Sequence, residues 1–543
     1  MRRRLIRHVL DATSAWGGRF ARRRLLRRAL DVALAGTLLG APGCGGDDDG
    51  AGGPGGGGGA AGAGGAAGAG QNARCAAELG GPAIGRAAGA APAACVGLLS
   101  EDCPTVRGDV ARDDVVIVGS LLSTRGPDAN LGVPAQNAMQ LALDEIDAAG
   151  GLLRPDGTLR PMAIVQCDHS SDVEVAVRAA GHLADRVGVA AIVGPDFSGL
   201  SIAVAQRVTL DRGVLLMSPG ATSVALTALD ATRGGERLLW RTSPSDAFQA
   251  VPLGAQYAEV EAEIVAASGG PAKVAVVYKN DAYGVGLYES FERGTLVNGA
   301  RPSAPANAEL FRAFAYEAEA DLTPLVGQLA AFGPAVVVGF GLTELVTRVV
   351  EPLEAAWATG ARPAYLFSEG ARSQDLLDLV ARRDGLRART RGTSPGTNNS
   401  LSQAFYSRYR RAYSEALIFG MAGAYDATYL LAYAAVAAGD EPLTGPGVAR
   451  ALRRTVGGAT QIDAGPGDVS RAYNLLQAGT SIDYNGASGP LEFDAAGEAA
   501  SDIQVWCVAL DPNTQAPFFL DNTGVYYDAL EQKVVGDRFT CTP

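Results

Sequence analysis

From Val115 onward the chain repeats one pattern: a short run rich in Val, Ile and Leu, then a longer stretch with helical periodicity. VVIVGSLL (115–122) leads into AQNAMQLALDEIDAAGG (135–151), which Gly150-Gly151 closes. MAIVQ (162–166) precedes a helix from about Ser171, AAIVG (190–194) one from about Ser201, and VLLMS (214–218) follows. The rhythm resumes with KVAVVY (273–278) and a helix over 283–296, then FRAFAY and a helix over 322–332. AVVVGF (335–340) with a helix over 345–357, and AYLFS (364–368), complete it. Strands that are apolar on both faces must be covered on both, and parallel neighbours need long crossovers. The pattern therefore predicts α/β architecture with parallel sheets flanked by helices. At 543 residues the chain exceeds one core and should form two or three domains.

In such sheets a ligand binds beyond the carboxyl ends of strands, where strand order reverses. The turns to inspect are 123–132, 194–201, 218–222, 280–286, 339–343 and 368–370. They are rich in Gly, Ser, Thr and Asp, with aromatics at Phe197 and Tyr283.

The amino terminus reads as an export signal over 1–43: Arg22, Arg23, Arg24, Arg27 and Arg28 precede a short apolar run ending at Ala41. That run is about half the ~20 residues needed to span a bilayer. Cys44 then opens a Gly/Ala-rich tether, 44–70, too poor in apolar side chains to pack a core. A cysteine between a signal and a solvated tether resembles a lipoprotein attachment site, although Ala41 stands where a Leu is usual. Ala33-Leu34-Ala35 offers an ordinary cleavage site instead, and Arg22-Arg23 is loosely twin-arginine-like. Beyond residue 43 the chain carries 36 basic against 56 acidic residues, a balance of -20, which disfavours nucleic acid as a partner.

With Cys44 set aside, six cysteines remain: Cys75, Cys95, Cys103, Cys167, Cys507 and Cys541. In an oxidising compartment an even number reads as three disulfides. No C-x-x-C pair, P-loop or H-E-x-x-H motif occurs, so metal and cofactor are both expected to be none. Cys167-Asp168-His169 could be drawn as a Cys–His nucleophile, but a cysteine at a strand end in an exported chain is more often half a disulfide.

Several turns, in order, resemble one family. GSLLSTRGPDANLGVPAQNAMQLALDEIDAAGG, VGPDFSGLSIAVA, LLMSPGATSVALT, VVYKNDAYGVGLYESF, FSEGA, GAYDATYLLA and SGPLEFDAAGE are similar to the type I periplasmic binding proteins for leucine, isoleucine and valine. The likeness covers about residues 114–511. It implies two doubly wound lobes with parallel sheets, linked by three crossovers near Thr242-Ser243, Arg391-Gly392 and Asn485-Gly489. Lobe 1 is then 114–242 plus 392–487 and lobe 2 is 243–391 plus 488–511. A Cys-bearing segment, 71–113, precedes them and an extension, 512–543, follows.

The resemblance also implies a clamp for an amino acid. Ser198 and Thr222 match the family's carboxylate-binding hydroxyls, with Gly220 and Ala221 supplying backbone contacts. Tyr283 matches its cleft tyrosine and Glu369 its ammonium-binding acid. Ser198 alone is more often a helix cap, and Glu369 alone a solvated loop acid. Leu131 stands where leucine binders have a tyrosine, and Phe340-Gly341 near another, so the pocket for the variable part departs from the family. Ser171 and Phe197 stand at the family's own disulfide positions. Cys167 is accordingly expected to reach back to Cys103, and Cys507 to pair with Cys541.

The function so implied is an exported, lipid-anchored, monomeric binding protein that delivers an amino acid, or an amide of similar size, to an ABC permease. The alternative is a ligand-sensing domain reporting to a membrane partner. An enzyme is not expected, because no nucleophile–base set is visible.

Overall fold

The computed structural model describes residues 70–86, 94–358, 360–396, 399–414, 417–536 and 538–542. The signal, Cys44 and the tether to residue 69 lie outside the described residues. Residues from Gly70 onward form one compact unit.

Six strands build the first sheet: β1 (Thr105–Arg107), β2 (Val116–Leu122), β3 (Met162–Asp168), β4 (Ala191–Val193), β5 (Leu215–Ser218) and β6 (Leu239–Arg241). Their order is β6-β5-β4-β2-β3-β1, parallel except for β1. Helix α1 (Ala129–Ala148) follows β2, α2 (Val173–Gly181) follows β3 and α3 (Ser198–Val204) follows β4. Chain order reverses between β2 and β4, which places the switch point where β2 and β4 end.

The second sheet begins after α4 (Val224–Ala228) and α5 (Asp246–Ser268). It contains β7 (Val274–Lys279), β8 (Phe311–Tyr316), β9 (Val336–Phe340), β10 (Ala364–Phe367), β11 (Thr390–Pro395) and β12 (Ile503–Leu510). β13 (Pro517–Leu520), β14 (Tyr526–Asp528) and β15 (Lys533–Val535) extend it antiparallel. The order is β8-β7-β9-β10-β11-β12-β14-β15, with β13 also paired to β12, so the reversal falls between β7 and β9. Helix α6 (Ala282–Gly294) leaves the end of β7. Three segments of the extension, 517–520, 526–528 and 533–535, are thus strands of this sheet.

Each sheet has its own core. Helix α8 (Met421–Ala438) is buried around most of its circumference, as its uniformly apolar sequence requires, and packs with the β2–β5 strands in the first core. Phe405 and Tyr409 of α7 (Ser400–Ala412) join that core as well.

These memberships locate the passages between the lobes. The first runs from the end of β6 to the start of α5, at Thr242-Ser243. The second comes between β11, a strand of the second sheet, and α7, whose side chains pack in the first core, rather than at Arg391-Gly392. Gly392 is a strand residue: a Cβ there would lie 2.4 Å from Trp506, so close packing rather than hinging demands the glycine. The third lies at 500–502 rather than 485–489, because Leu491 and Ala499 still pack in the first core. Glu498 holds that loop to the first sheet through Arg241 at 2.7 Å.

The cysteines pair 75–95, 103–167 and 507–541. Helix Gln71–Leu79 and the hairpin of Ala83–Arg86 with Ala94–Gly97 form the first-bridged segment. Its helix start is held by Asp113, which accepts from the Gln71 and Asn72 amides at 2.9 and 2.7 Å.

Candidate functional site

The two switch points face each other, and the turns beyond them enclose a cavity of about 60 Å³. From the first lobe come Ser198 and Gly220. Ser198 is the first residue of α3, following a cis Gly194–Pro195 bond and extended Phe197. Its Oγ accepts from the Ser223 amide at 3.2 Å, which leaves the hydroxyl proton to donate. Gly220 has no room for a side chain, since a Cβ would lie 2.9 Å from the Asp196 carbonyl.

From the second lobe come Tyr283 and Glu369. Asp281 caps α6, accepting from the Tyr283 and Gly284 amides at 3.0 and 2.9 Å, and so sets the Tyr283 ring in place. The Tyr283 hydroxyl lies 2.7 Å from Ser368 Oγ and accepts from the Gly370 amide at 3.3 Å. Glu369 follows β10 in a short helical turn and is only 4 % exposed. One of its oxygens accepts from the side-chain amide of Gln249.

Ala221 and Thr222 stand behind this wall. The Ala221 amide donates to Ser218 Oγ, and its carbonyl accepts from Ser243 Oγ, both at 3.0 Å. The Thr222 carbonyl accepts from the Asp246 amide at 2.8 Å, and its hydroxyl is buried beside that residue's carboxylate. Thus the structure brings Ser198, Gly220, Tyr283 and Glu369 to one cavity and keeps Ala221 and Thr222 one layer back. Leu131 lines the cavity, whereas Phe340 is in the second core.

Sequence reasoning missed Asp246, Gln249 and Phe419. Asp246 and Gln249 lie in the first turns of α5, fully buried, and Phe419 precedes α8 against the cavity. Burial pushes the Glu369 carboxyl above its ordinary range. Asp246 is raised well above it by burial and then by the negative charge of Glu369. Two enclosed carboxylates side by side favour the arrival of a cation.

The lobes touch around the cavity. The Ser223 hydroxyl donates to the Ala282 carbonyl at 2.5 Å, and Asn130 reaches Asp375 at 3.4 Å. Among the described residues Cys167 does not pair with a histidine as nucleophile and base: it is tied up in a disulfide, and His169 and His182 face Asp196 and the Leu98 carbonyl. Residues 392–396, Gly-Thr-Ser-Pro-Gly, spell G-x-S-x-G, but the first four lie within strand β11, so the serine is not on a strand-to-helix elbow. Among the described residues no group of His, Cys, Asp and Glu is placed to hold a metal ion, and no helix is long and apolar enough to cross a membrane.

The sequence model of the periplasmic binding protein family matches residues 115–487. A substrate-binding protein of a chemotactic signal transduction system, BasB of Halobacterium salinarum, is 29% identical over 401 residues, 70% of this chain and 84% of its own. The Leu/Ile/Val-binding protein BraC3 of Rhizobium johnstonii is 31% identical over 177 residues, 33% of this chain and 43% of its own. In structure the chain is similar to the branched-chain amino acid binding protein LivJ of Streptococcus pneumoniae, in complex with isoleucine. The TM-score is 0.55 and identity 21%, covering 73% of this chain and 96% of that one. It is similar also to a solute-binding protein of Rhodopseudomonas palustris in complex with 3,4-dihydroxybenzoic acid. There the TM-score is 0.56 and identity 14%, covering 77% and 99%.

Proposed function

Since the chain belongs to the periplasmic binding protein family, as a type I member of its leucine/isoleucine/valine-binding branch, we propose that it is the extracytoplasmic solute-binding component of an ABC importer and takes an amino acid, or a small polar solute of similar shape, between its lobes. The observation that carries this reading is the facing of Ser198 and Gly220 by Tyr283 and Glu369 across one cavity. Ser198 supplies a hydroxyl and the start of α3 its free N–H groups, a setting for a carboxylate. Glu369 supplies the charge for an ammonium group. Cys44 anchors the monomer to the membrane through lipid, and the tether lets the lobes reach a permease.

A second reading, sensing rather than transport, is favoured by the likeness to the chemotactic protein of Halobacterium salinarum. The site is the same in both; the membrane partner differs.

Thermal unfolding of the purified protein across amino acids, short amides and hydroxybenzoates tests the shared part. A true ligand at 100 times its Kd stabilises by ~2.7 kcal/mol. Stabilisation by at least one amino acid supports the proposal, and stabilisation by hydroxybenzoates alone contradicts it.

A further inference from the structure

The cavity wall carries more negative charge than a neutral amino acid needs. Asp196, Asp281 and Glu369 all line it, and Arg372 is the cation that lines it with them. Arg372 is already engaged: both its Nη atoms lie 2.8 Å from Asp521, and its guanidinium lies over the Phe519 ring at 5.1 Å.

Asp196 is the telling residue. Its side chain is 10% exposed, and Oδ1 accepts from His169 Nε2 at 2.6 Å. His169 Nδ1 accepts from the Ser171 amide at 3.1 Å, which leaves Nε2 as the ring nitrogen that donates to Asp196. Oδ2 of Asp196 is buried and meets no donor among the described residues. A nine-tenths-buried carboxylate at a ligand cavity, with one oxygen unpartnered, is an acceptor waiting for a donor. Asp281 is little better neutralised. Lys279 lies 3.5 Å from it, but that lysine also faces Asp128 and Glu344. Between these acids the wall is apolar, formed by Leu131, Ala135, Phe197 and Leu342.

We infer that the solute is an amino acid with a cationic side chain, its methylene stem against the apolar wall and its charged tip on Asp196 and Asp281. This rests on the amino-acid reading above and names the side chain that reading leaves open. A stem-and-tip cation such as lysine or arginine buries its carbons while its nitrogens meet the carboxylates. Leucine would leave the Asp196 oxygen unpaired, and glutamate would add a fourth negative charge.

Titration calorimetry with lysine, arginine, leucine, glutamate and putrescine, on the parent, Asp196→Asn and Asp281→Asn, decides it. Asparagine still accepts from His169 at the first site and still caps α6 at the second; melting of the ligand-free variants checks that both fold. A lost charge-assisted hydrogen bond corresponds to roughly tenfold to a hundredfold in affinity. Lysine or arginine should bind the parent at least about tenfold tighter than leucine, and Asp196→Asn should remove most of that advantage. Leucine binding as tightly as both basic amino acids, or an Asn variant weakening every ligand alike, overturns the inference and leaves the amino-acid reading standing. Binding of putrescine alone keeps the cationic class and overturns the amino-acid reading. No binding by any of the five overturns the cationic inference, while the amino-acid reading still rests on the wider thermal screen above.

Discussion

Burial, and then the negative charge of buried Glu369 beside it, raise the proton affinity of Asp246 at the start of α5. Because Asp246 is raised when folded, the stability it contributes is full below the ordinary carboxyl value of 3.8 and is lost as pH rises through its elevated value. An ammonium group entering beside the pair favours both ionised forms. Binding should therefore release protons in mild acid, seen as heats that differ between buffers of unlike ionisation enthalpy. Asp246→Asn should shrink the difference, and equal heats in all buffers would contradict the coupling.

Asp426 of α8 offers a second pH signature, away from the cavity. It accepts from Tyr484 Oη, the Ala487 amide and both the amide and hydroxyl of Ser488, tying the loop after residue 485 to α8. Burial pushes its carboxyl up to about 6 in spite of those donors. Its stabilising contribution is full below 3.8 and lost as pH rises through about 6. Asp426→Asn should lower the melting temperature in acid and flatten its change toward neutral pH. A variant with the parent's full pH dependence would exclude Asp426 as the source.

The Cys507–Cys541 bridge closes 34 residues that include β13, β14 and β15. Loop entropy for that length corresponds to about 3–4 kcal/mol. Replacing both cysteines with serine should lower the denaturant midpoint accordingly while leaving reductant without further effect at this bridge. An unchanged midpoint would mean that strand pairing alone holds the end of the chain.

Cys44 and the tether can be tested in cells. Cys44→Ala should release the protein in soluble form. Retention of that variant in the membrane fraction would argue against lipidation.

Strand-forming segments were legible because local sequence decides them: VVIVGSLL and AVVVGF became β2 and β9, with their glycine-rich turns at the cavity. What failed to show was non-local. Asp246 in SPSDAFQA reads as an acid suited to a helix start, and only the approach of Glu369, far away in sequence at the end of β10, gives it a second role. Asp196 reads as a turn residue until β3 delivers His169 to it. Gly392 reads as a hinge because nothing in Arg-Gly-Thr announces that Trp506, more than a hundred positions on, will pack against it. The pairing of Ser198 with Glu369 was accessible only through family likeness, since each residue alone has a commoner structural use.

Titration calorimetry on Glu369→Ala beside Ser198→Ala tests the central claim most directly, using an amino acid that the parent binds. Removing the acid leaves the ligand's ammonium poorly paired in a desolvated cavity, which costs roughly 2–5 kcal/mol, or about 30- to 3,000-fold in affinity. Ser198→Ala should weaken carboxylate-bearing ligands by a smaller factor, because the N–H groups at the start of α3 remain. An uncharged amide of similar shape should be little affected by Glu369→Ala. If Glu369→Ala instead binds the amino acid within about threefold of the parent, an offset below the ~1.4 kcal/mol of a tenfold change, then Glu369 does not hold the ammonium group and the clamp between the lobes is wrong.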